Sequence, residues 1–195
     1  MIIDKKAYVI SLDNNLSNIE QSWLDQGFDL EAFEATTPDT IPPNGPLVFG
    51  DKVRDQQRGL DNPIVSFTDA EKAIWYSHYN LWHLCQYVDR PIIVIEDDTV
   101  LTSEFPSSWN VTSLKYFVRS STTDRKTDRR EFVWASGYVV TPVGAERLIR
   151  LAEKQPIDIN VDGFFRYSRD KHPEAWCTQY ATNIDKAVKA EHKYD

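Results

Sequence analysis

The stretch that most constrains the fold is an aliphatic run that ends in three consecutive acids. Residues 92–95 are all β-branched, and Glu96, Asp97 and Asp98 follow them directly. An uninterrupted β-branched run is typical of a strand that is buried on both faces, as in a parallel sheet covered by helices. The acids then lie at the carboxyl end of that strand, which is the edge where open α/β sheets bind ligands.

Three neighbouring carboxylates repel one another unless a positive charge lies among them. A divalent cation would supply that charge, and ligands that are all oxygen favour Mg2+ or Mn2+ over zinc. If the strand runs to its end, Glu96 and Asp98 share one face and Asp97 points away. The alternative is a surface turn with solvated acids, because strands often end in acidic turns. These residues alone leave both interpretations open.

Composition indicates one globular domain over residues 1–195. Of the 195 residues, 41% are hydrophobic and 27% are charged, and this length is enough for one substantial core. The net charge of -8 argues against nucleic acid as a bulk partner, although a metal could still bring in a phosphorylated small molecule. The first residues do not predict a signal peptide, and no apolar run approaches about 20 residues. We therefore expect no transmembrane segment and a cytoplasmic location, in a bacterial cell or a virus-infected host.

The first 35 residues predict a strand, a helix and a second strand. Residues 7–12 are expected to form the first strand, which Asp13 and its neighbours end. Apolar residues around Trp23 recur at helical spacing, and Gly27 can end that helix. Residues 28–35 then predict a second strand. This order is the start of a doubly wound sheet.

Residues 36–67 contain five prolines and three glycines and predict a long loop. A loop of this length within a compact domain is usually functional or partly disordered. It is either a lid that closes over a substrate or an insertion without a function, and we favour the lid.

A capping box at Thr68 and Glu71 predicts the start of a long helix. Glu71 and His78 lie on one stripe of this helix. They form either a satisfied polar pair within the packing or part of the rim of a site, and the sequence favours the buried pair. Thr141 followed by Pro142 predicts the start of a later helix.

Two segments between these helices are predicted from weaker patterns. Residues 112–118 are expected to form a short helix. Residues 132–140 are expected to form a strand that is interrupted near Gly137, because a glycine within a strand often marks a bulge.

Asp158 and Asp162 are two further acids among apolar neighbours. Either could be an ordinary helix cap. Asp162 precedes Gly-Phe-Phe, and apolar surroundings raise the pKa of a carboxylate, so Asp162 is the better candidate for a general base.

Several motifs of common enzyme classes are missing from the sequence. It has no P-loop, no Gly-x-Gly-x-x-Gly after the first strand, no His-Glu-x-x-His and no Gly-x-Ser-x-Gly. Cys85 and Cys177 are far apart and show no metal-binding spacing, so we expect buried thiols. Nucleophilic hydrolases and dinucleotide-dependent dehydrogenases are therefore disfavoured.

Five motifs occur in a characteristic order along residues 7–185. They are Val-Ile-Ser-Leu at 9–12, Glu71 with Ser77-His78, the acidic strand at 93–98, Gly-Tyr-Val-Val-Thr at 137–141 with Gly144-Ala145, and Asp162 followed by Asp-Lys-His-Pro at 170–173. In this order the chain resembles glycosyltransferase family 25, the lipopolysaccharide-biosynthesis galactosyltransferase-like group that includes collagen galactosyltransferase domains.

The resemblance implies a single GT-A-like (Rossmann-like) α/β domain, with a mostly parallel central sheet and helices on both faces. It also implies an inverting, metal-dependent enzyme. Such an enzyme moves a hexose, galactose or glucose, from a nucleotide-diphospho-sugar to a hydroxyl of a glycan acceptor. A UDP-sugar is the expected donor, and a lipopolysaccharide-like envelope polymer is the expected acceptor.

The resemblance also assigns roles to the acids. Residues 96–98 become the counterpart of the Asp-x-Asp (DXD-like) motif, in which Asp98 is the direct ligand of Mn2+ or Mg2+ and Glu96 is a second candidate. Glu96 or Asp97 would orient the ribose, the sugar or metal-bound water. Asp162 is the expected base, with Asp158 second. His78 and Glu71 would lie near the donor.

Two alternatives remain open at this point. Members of the family usually carry arginines after the first strand, and residues 13–18 contain none. A catalytically degenerate member that binds a sugar or a protein is therefore the alternative function. A Mg2+-dependent phosphotransfer domain is the second alternative, because adjacent aspartates at a strand end also serve that chemistry.

Overall fold

The computed structural model describes residues 4–13, 15–16, 20–51, 66–101, 104–105, 114–116, 135, 137–165 and 187–189. The described strands are β1 (Lys6–Ser11), β2 (Asp29–Glu34), β3 (Ile92–Glu96), β4 (Thr99–Leu101), β5 (Leu114–Tyr116), β6 (Gly137–Val140) and β7 (Ala187–Lys189). The helices are α1 (Glu20–Leu24), α2 (Asp69–Val88) and α3 (Pro142–Lys154), with a 3-10 turn at Pro38–Thr40 and a helical turn at 161–165. None of these described helices has the length and apolar character needed to cross a membrane.

The central sheet is mixed. Its five strands lie in the order β2, β1, β3, β6 and β5, and β4 pairs with β7 in a separate two-stranded sheet. β1 is parallel to β2 and β3, whereas β6 is antiparallel to both β3 and β5. Four of these five described strands therefore point in one direction. The predicted α/β class is confirmed, and the reversal of β6 is a feature that the sequence analysis did not predict.

Helices cover both faces of the sheet, as predicted. On one face, residues of α2 and α3 share a core cluster with Val94 and Tyr138. On the other face, Trp23 of α1 shares a second cluster with Val9 and Ile95. This alternation follows from the period of two in a strand, which directs successive side chains to opposite faces.

β3 is the middle strand and is buried on both faces. Ile92 and Val94 belong to the cluster beneath α2 and α3, and Ile93 and Ile95 belong to the cluster beneath α1. None of the four is more than 2% exposed. Burial of each such side chain contributes about 1.5–3 kcal/mol, so this strand anchors both layers of the fold.

The predicted helix boundaries are confirmed where caps define them. Thr68 and Glu71 form the expected capping box at the start of α2. At the start of α3, the Thr141 hydroxyl accepts a hydrogen bond from the Gly144 N–H at 3.1 Å. Gly27, at φ +75°, ends the turn after α1. A left-handed conformation suits glycine because it has no Cβ.

The prediction of a helix over residues 112–118 is wrong where the structure describes that segment. Leu114–Tyr116 forms β5, which pairs with β6 opposite Tyr138 and Val140. Backbone pairing with a buried neighbouring strand overrides the weak local pattern. Gly137–Val140 of the predicted strand is confirmed as β6, and the preceding segment lies mostly outside the described residues.

The described part of the long loop, residues 36–51, makes backbone contacts with the core near both of its ends. The Thr36 N–H donates a hydrogen bond to the Ser77 hydroxyl at 2.9 Å. Further on, Phe49 forms an isolated parallel bridge with Ile157. Residues 52–65 lie outside the described residues, so the lid stays a prediction.

Cys85 is predicted to make the stability of the protein fall at alkaline pH. Burial raises the pKa of its thiol from 9.0 to about 12. The folded chain therefore keeps the thiol proton, whereas the unfolded chain loses it above pH 9. The stabilisation that is present below pH 9 is thus lost as the pH rises towards 12.

Urea denaturation of the wild-type protein and Cys85→Ala between pH 9 and 11 tests this prediction. The free energy of unfolding of the wild-type protein should fall more steeply, by up to about 1.4 kcal/mol per pH unit. The cavity left by the alanine shifts all values equally and leaves the slope unaffected. Equal slopes would show that the pKa of Cys85 is not raised in the folded chain.

Candidate functional site

An open cavity of about 520 Å³ lies at the carboxyl ends of β1, β2 and β3. This volume falls within the range of ligand sites, and the position is the edge at which the sequence predicts binding. The described lining residues are Ile10, Leu12, Ala35, Thr36, Pro38, Ala70, Glu71, Ala73, Ile74, Ser77, His78, Glu96, Asp97, Asp98, Asn160, Val161 and Asp162.

All three acids of the strand end line the cavity. β3 ends at Glu96, and Asp97 and Asp98 form the turn that leads into β4. The strand alternation that would direct Asp97 away from its neighbours therefore stops before Asp97. Asp98 is 4% exposed, whereas the side chain of Glu96 is 23% exposed. The interpretation as a fully solvated surface turn does not fit the burial of Asp98.

His78 lies at the base of the cavity and is fully buried. Its Nδ1 is 3.0 Å from the hydroxyl oxygen of Tyr138, and its Nε2 is 3.8 Å from Glu96 Oε1. Trp82 donates its indole N–H to the same Tyr138 hydroxyl at 3.1 Å. The sequence analysis treated Tyr138 only as part of a buried strand and missed this contact.

Glu71 has a partner other than His78. Its Oε2 accepts hydrogen bonds from the N–H and the hydroxyl of Thr68, at 2.8 Å and 2.9 Å. The expected pair between Glu71 and His78 is therefore wrong, since each side chain is held by a different residue. They are seven residues apart, or about two helical turns, and this spacing places both on the cavity side of α2.

The structure separates the two candidate bases. Asp162 lies in the helical turn 161–165 and lines the cavity, and its Oδ1 accepts a hydrogen bond from the Ala135 N–H at 2.5 Å. Asp158 lines a different, much smaller pocket together with Leu151 and Phe164. Of the two acids, only Asp162 is brought to the same cavity as the acids of the strand end.

The described lining is strongly acidic. It contains Glu71, Glu96, Asp97, Asp98 and Asp162, and the lining residues that the structure describes include no lysine or arginine. Within the described ranges, no three His, Cys, Asp or Glu side chains form a metal-binding group. Mg2+ and Mn2+ often bind through one or two carboxylates together with substrate phosphates. The oxygen donors of Asp98 and Glu96 fit such a shared ion.

The family model of glycosyltransferase family 25 (LPS biosynthesis protein) matches residues 4–118. This match covers more than half of the chain and includes β1, α2 and the acids of the strand end, whereas Tyr138 and Asp162 lie beyond it. No curated protein matches the chain.

We predict that Glu71 stabilises the start of α2 through the hydrogen bond that it accepts from the Thr68 N–H. In Glu71→Ala, the Thr68 N–H loses its acceptor, and the free energy of unfolding should fall by about 1 kcal/mol. Glu71→Gln keeps an oxygen that can accept the bond and should lose much less. Urea denaturation measures the free energy of unfolding of both variants. An equal loss of stability in the two variants would indicate that the charge near the helix N-terminus matters instead of the hydrogen bond.

Proposed function

Because the chain belongs to glycosyltransferase family 25, and is therefore a glycosyltransferase that uses a nucleotide-sugar donor and an acceptor, we propose that the cavity is its donor site. The enzyme transfers a hexose, galactose or glucose, from a UDP-sugar to a hydroxyl of a glycan acceptor. The observation that carries this proposal is the convergence of the strand-end acids and Asp162 on one cavity. The family match favours sugar transfer over Mg2+-dependent phosphotransfer.

The charge of the lining supports a metal-dependent donor site. A nucleotide diphosphate is anionic, and the described lining offers it carboxylates without a lysine or an arginine. Binding without a cation would therefore be repulsive. Asp98, with Glu96 as the second candidate ligand, would hold Mn2+ or Mg2+, which when bound would offset the charge of the diphosphate and of the leaving nucleotide. Asp97 contributes to orienting the ribose or the sugar.

Asp162 is proposed as the general base. Inversion requires a single in-line displacement, in which the acceptor hydroxyl attacks the anomeric carbon as the bond to the diphosphate oxygen breaks. The attacking hydroxyl loses its proton to the Asp162 carboxylate. The hydrogen bond from Ala135 fixes the orientation of this carboxylate at the cavity wall.

A GT-A-type arrangement is part of the proposal. It is supported by three neighbouring parallel strands whose carboxyl ends border the cavity. The acceptor class, a lipopolysaccharide-like polymer, rests on the description of the family. The location in the cytoplasm of a bacterial cell or a virus-infected host stays a prediction.

The donor site predicts that binding of a nucleotide sugar requires a divalent cation and Asp98. UDP, UDP-galactose, UDP-glucose and GDP-mannose are tested by thermal shift, each with and without Mn2+. The matching pair should stabilise the protein by about 2.7 kcal/mol at one hundred times the dissociation constant. Asp98→Asn should abolish most of the shift because the cation loses its buried carboxylate.

Asp89→Asn is the matched control for this screen. This substitution removes the same charge at the C-terminal end of α2, whereas the residues of α2 that line the cavity lie in its N-terminal half. The whole helix is about 30 Å long. Asp89 has a left-handed backbone (φ 47°), which asparagine tolerates. A thermal shift that is equal with and without Mn2+ would contradict the proposed need for a divalent cation. The absence of any shift would favour the degenerate binding member that the missing arginines at 13–18 suggest.

The base assignment predicts different effects for the two aspartates. Asp162→Asn should lower kcat by about 10²–10⁴-fold, because the amide cannot take the acceptor proton, while the donor affinity stays within twofold. Asp158→Asn, which alters an acid outside the cavity, should keep kcat near the wild-type value. The measurements are steady-state transfer rates and calorimetric donor affinities. The reverse order of effects would assign the base to Asp158.

A further inference from the structure

A buried chain of polar groups lies beneath the cavity and is not part of the chemistry proposed above. It consists of Trp82, Tyr138 and His78, each fully buried. Both contacts of the chain meet at the Tyr138 hydroxyl, since the indole N–H of Trp82 and the Nδ1 of His78 lie at 3.1 Å and 3.0 Å from it. The imidazole then presents its Nε2 towards Glu96.

The hydrogens of this chain can be counted. An indole N–H can only donate, so Trp82 takes one lone pair of the Tyr138 oxygen. Burial raises the pKa of Tyr138 well above its usual value, so the hydroxyl keeps its single hydrogen at neutral pH. The contact between Tyr138 and His78 therefore has two forms. Either the tyrosine donates to Nδ1 of a neutral imidazole, or the imidazole donates from Nδ1 to the tyrosine.

Two costs exclude the second form. If Nδ1–H donated to Tyr138, the tyrosine hydrogen would have no other acceptor among the described residues, and a buried donor without a partner is costly. In a neutral ring, the same form would also place a bare Nε2 lone pair 3.8 Å from the Glu96 carboxylate. In the first form, the Trp82 N–H and the Tyr138 hydroxyl both have acceptors, and Nε2 carries a hydrogen that faces the negative charge of Glu96.

We propose that Tyr138 and Trp82 are positioning residues that hold His78 as the Nε2–H tautomer, so that His78 donates a hydrogen bond to a hydroxyl group of the bound nucleotide sugar. This inference rests on the proposed function for the ligand, whereas the tautomer stands on the contacts alone. Neither Tyr138 nor Trp82 would contact the substrate. Tyr138 lies beyond the segment that matches the family model.

The chemistry around Nε2 selects a hydroxyl rather than a phosphate. Glu96 Oε1 is 3.8 Å from Nε2, which is too far for a direct hydrogen bond. A hydroxyl oxygen between them accepts from Nε2–H and donates its own hydrogen to Glu96. A phosphate oxygen has no hydrogen to donate and is repelled by the carboxylate. The hydroxyl belongs either to the ribose or to the transferred sugar.

NMR of the 15N-labelled full chain at pH 8 tests the tautomer. The couplings between ring hydrogens and ring nitrogens identify which nitrogen carries the hydrogen, and the signals of His78 are those that disappear in His78→Phe. The wild-type protein should carry the hydrogen on Nε2. Tyr138→Phe removes the donor to Nδ1 and should give a mixture of tautomers.

Tyr79→Phe is the matched control for this experiment. Its hydroxyl also donates a hydrogen bond, to Glu153, but Tyr79 does not line the cavity. It should leave the tautomer of His78 unchanged. A wild-type His78 with its hydrogen on Nδ1 or on both nitrogens overturns the proposal, as does a Tyr138→Phe protein that keeps pure Nε2–H.

Calorimetry with UDP and UDP-galactose in the presence of Mn2+ tests the ligand contact. His78→Phe should weaken binding by roughly tenfold, which is the effect of one lost hydrogen bond. Weakening for both ligands assigns the ribose hydroxyl, and weakening for UDP-galactose alone assigns a sugar hydroxyl. Unchanged affinity for both overturns the contact. If neither ligand binds the wild-type protein, the proposed donor fails, and the NMR experiment still decides the tautomer.

Discussion

The fold depends on the burial of β3 on both faces. An apolar strand in the middle of the sheet requires a helical layer on each side, and α1 and α2 supply these layers through successive crossovers between parallel strands. Such crossovers bring the carboxyl ends of β1, β2 and β3 to one edge. The chain leaves the core at Glu96, the first residue of the strand that is partly exposed. The same burial that fixes the fold therefore also fixes where the acids meet the cavity.

Local signals explain why much of the fold was predictable. The cap at Thr68, the cap at Thr141 and the aliphatic run of β3 each act within a few residues, and all three mark elements that the structure contains. The reversal of β6 and the strand Leu114–Tyr116 were not predictable in this way. Both depend on pairing between segments that are distant in sequence, for which a single sequence carries no direct signal.

The candidate site was predictable in part for the same reason. The acids at 96–98 follow directly from the strand that carries them, and Asp162 and Asp158 were ranked only by their neighbours. The helical turn at 161–165 brings Asp162 to the cavity, whereas Asp158, four residues earlier, lines another pocket. Tyr138 was missed because its contact with His78 spans 60 residues. A tyrosine within a buried strand pattern also gives no local signal that it has a polar partner.

The bridge between Phe49 and Ile157 links the described part of the long loop to the segment of chain that leads to Asp162. Two backbone hydrogen bonds, of 2.8 Å and 2.7 Å, connect Gly50 and Val48 to Ile157. Ile157 lies five residues before Asp162, so a displacement of the segment around Phe49 pulls on the stretch of chain that carries this carboxylate. Under the proposed mechanism, such a displacement would change the alignment of the Asp162 carboxylate. An insertion near Phe49 would therefore change the turnover of the enzyme and not only its affinity for the substrate.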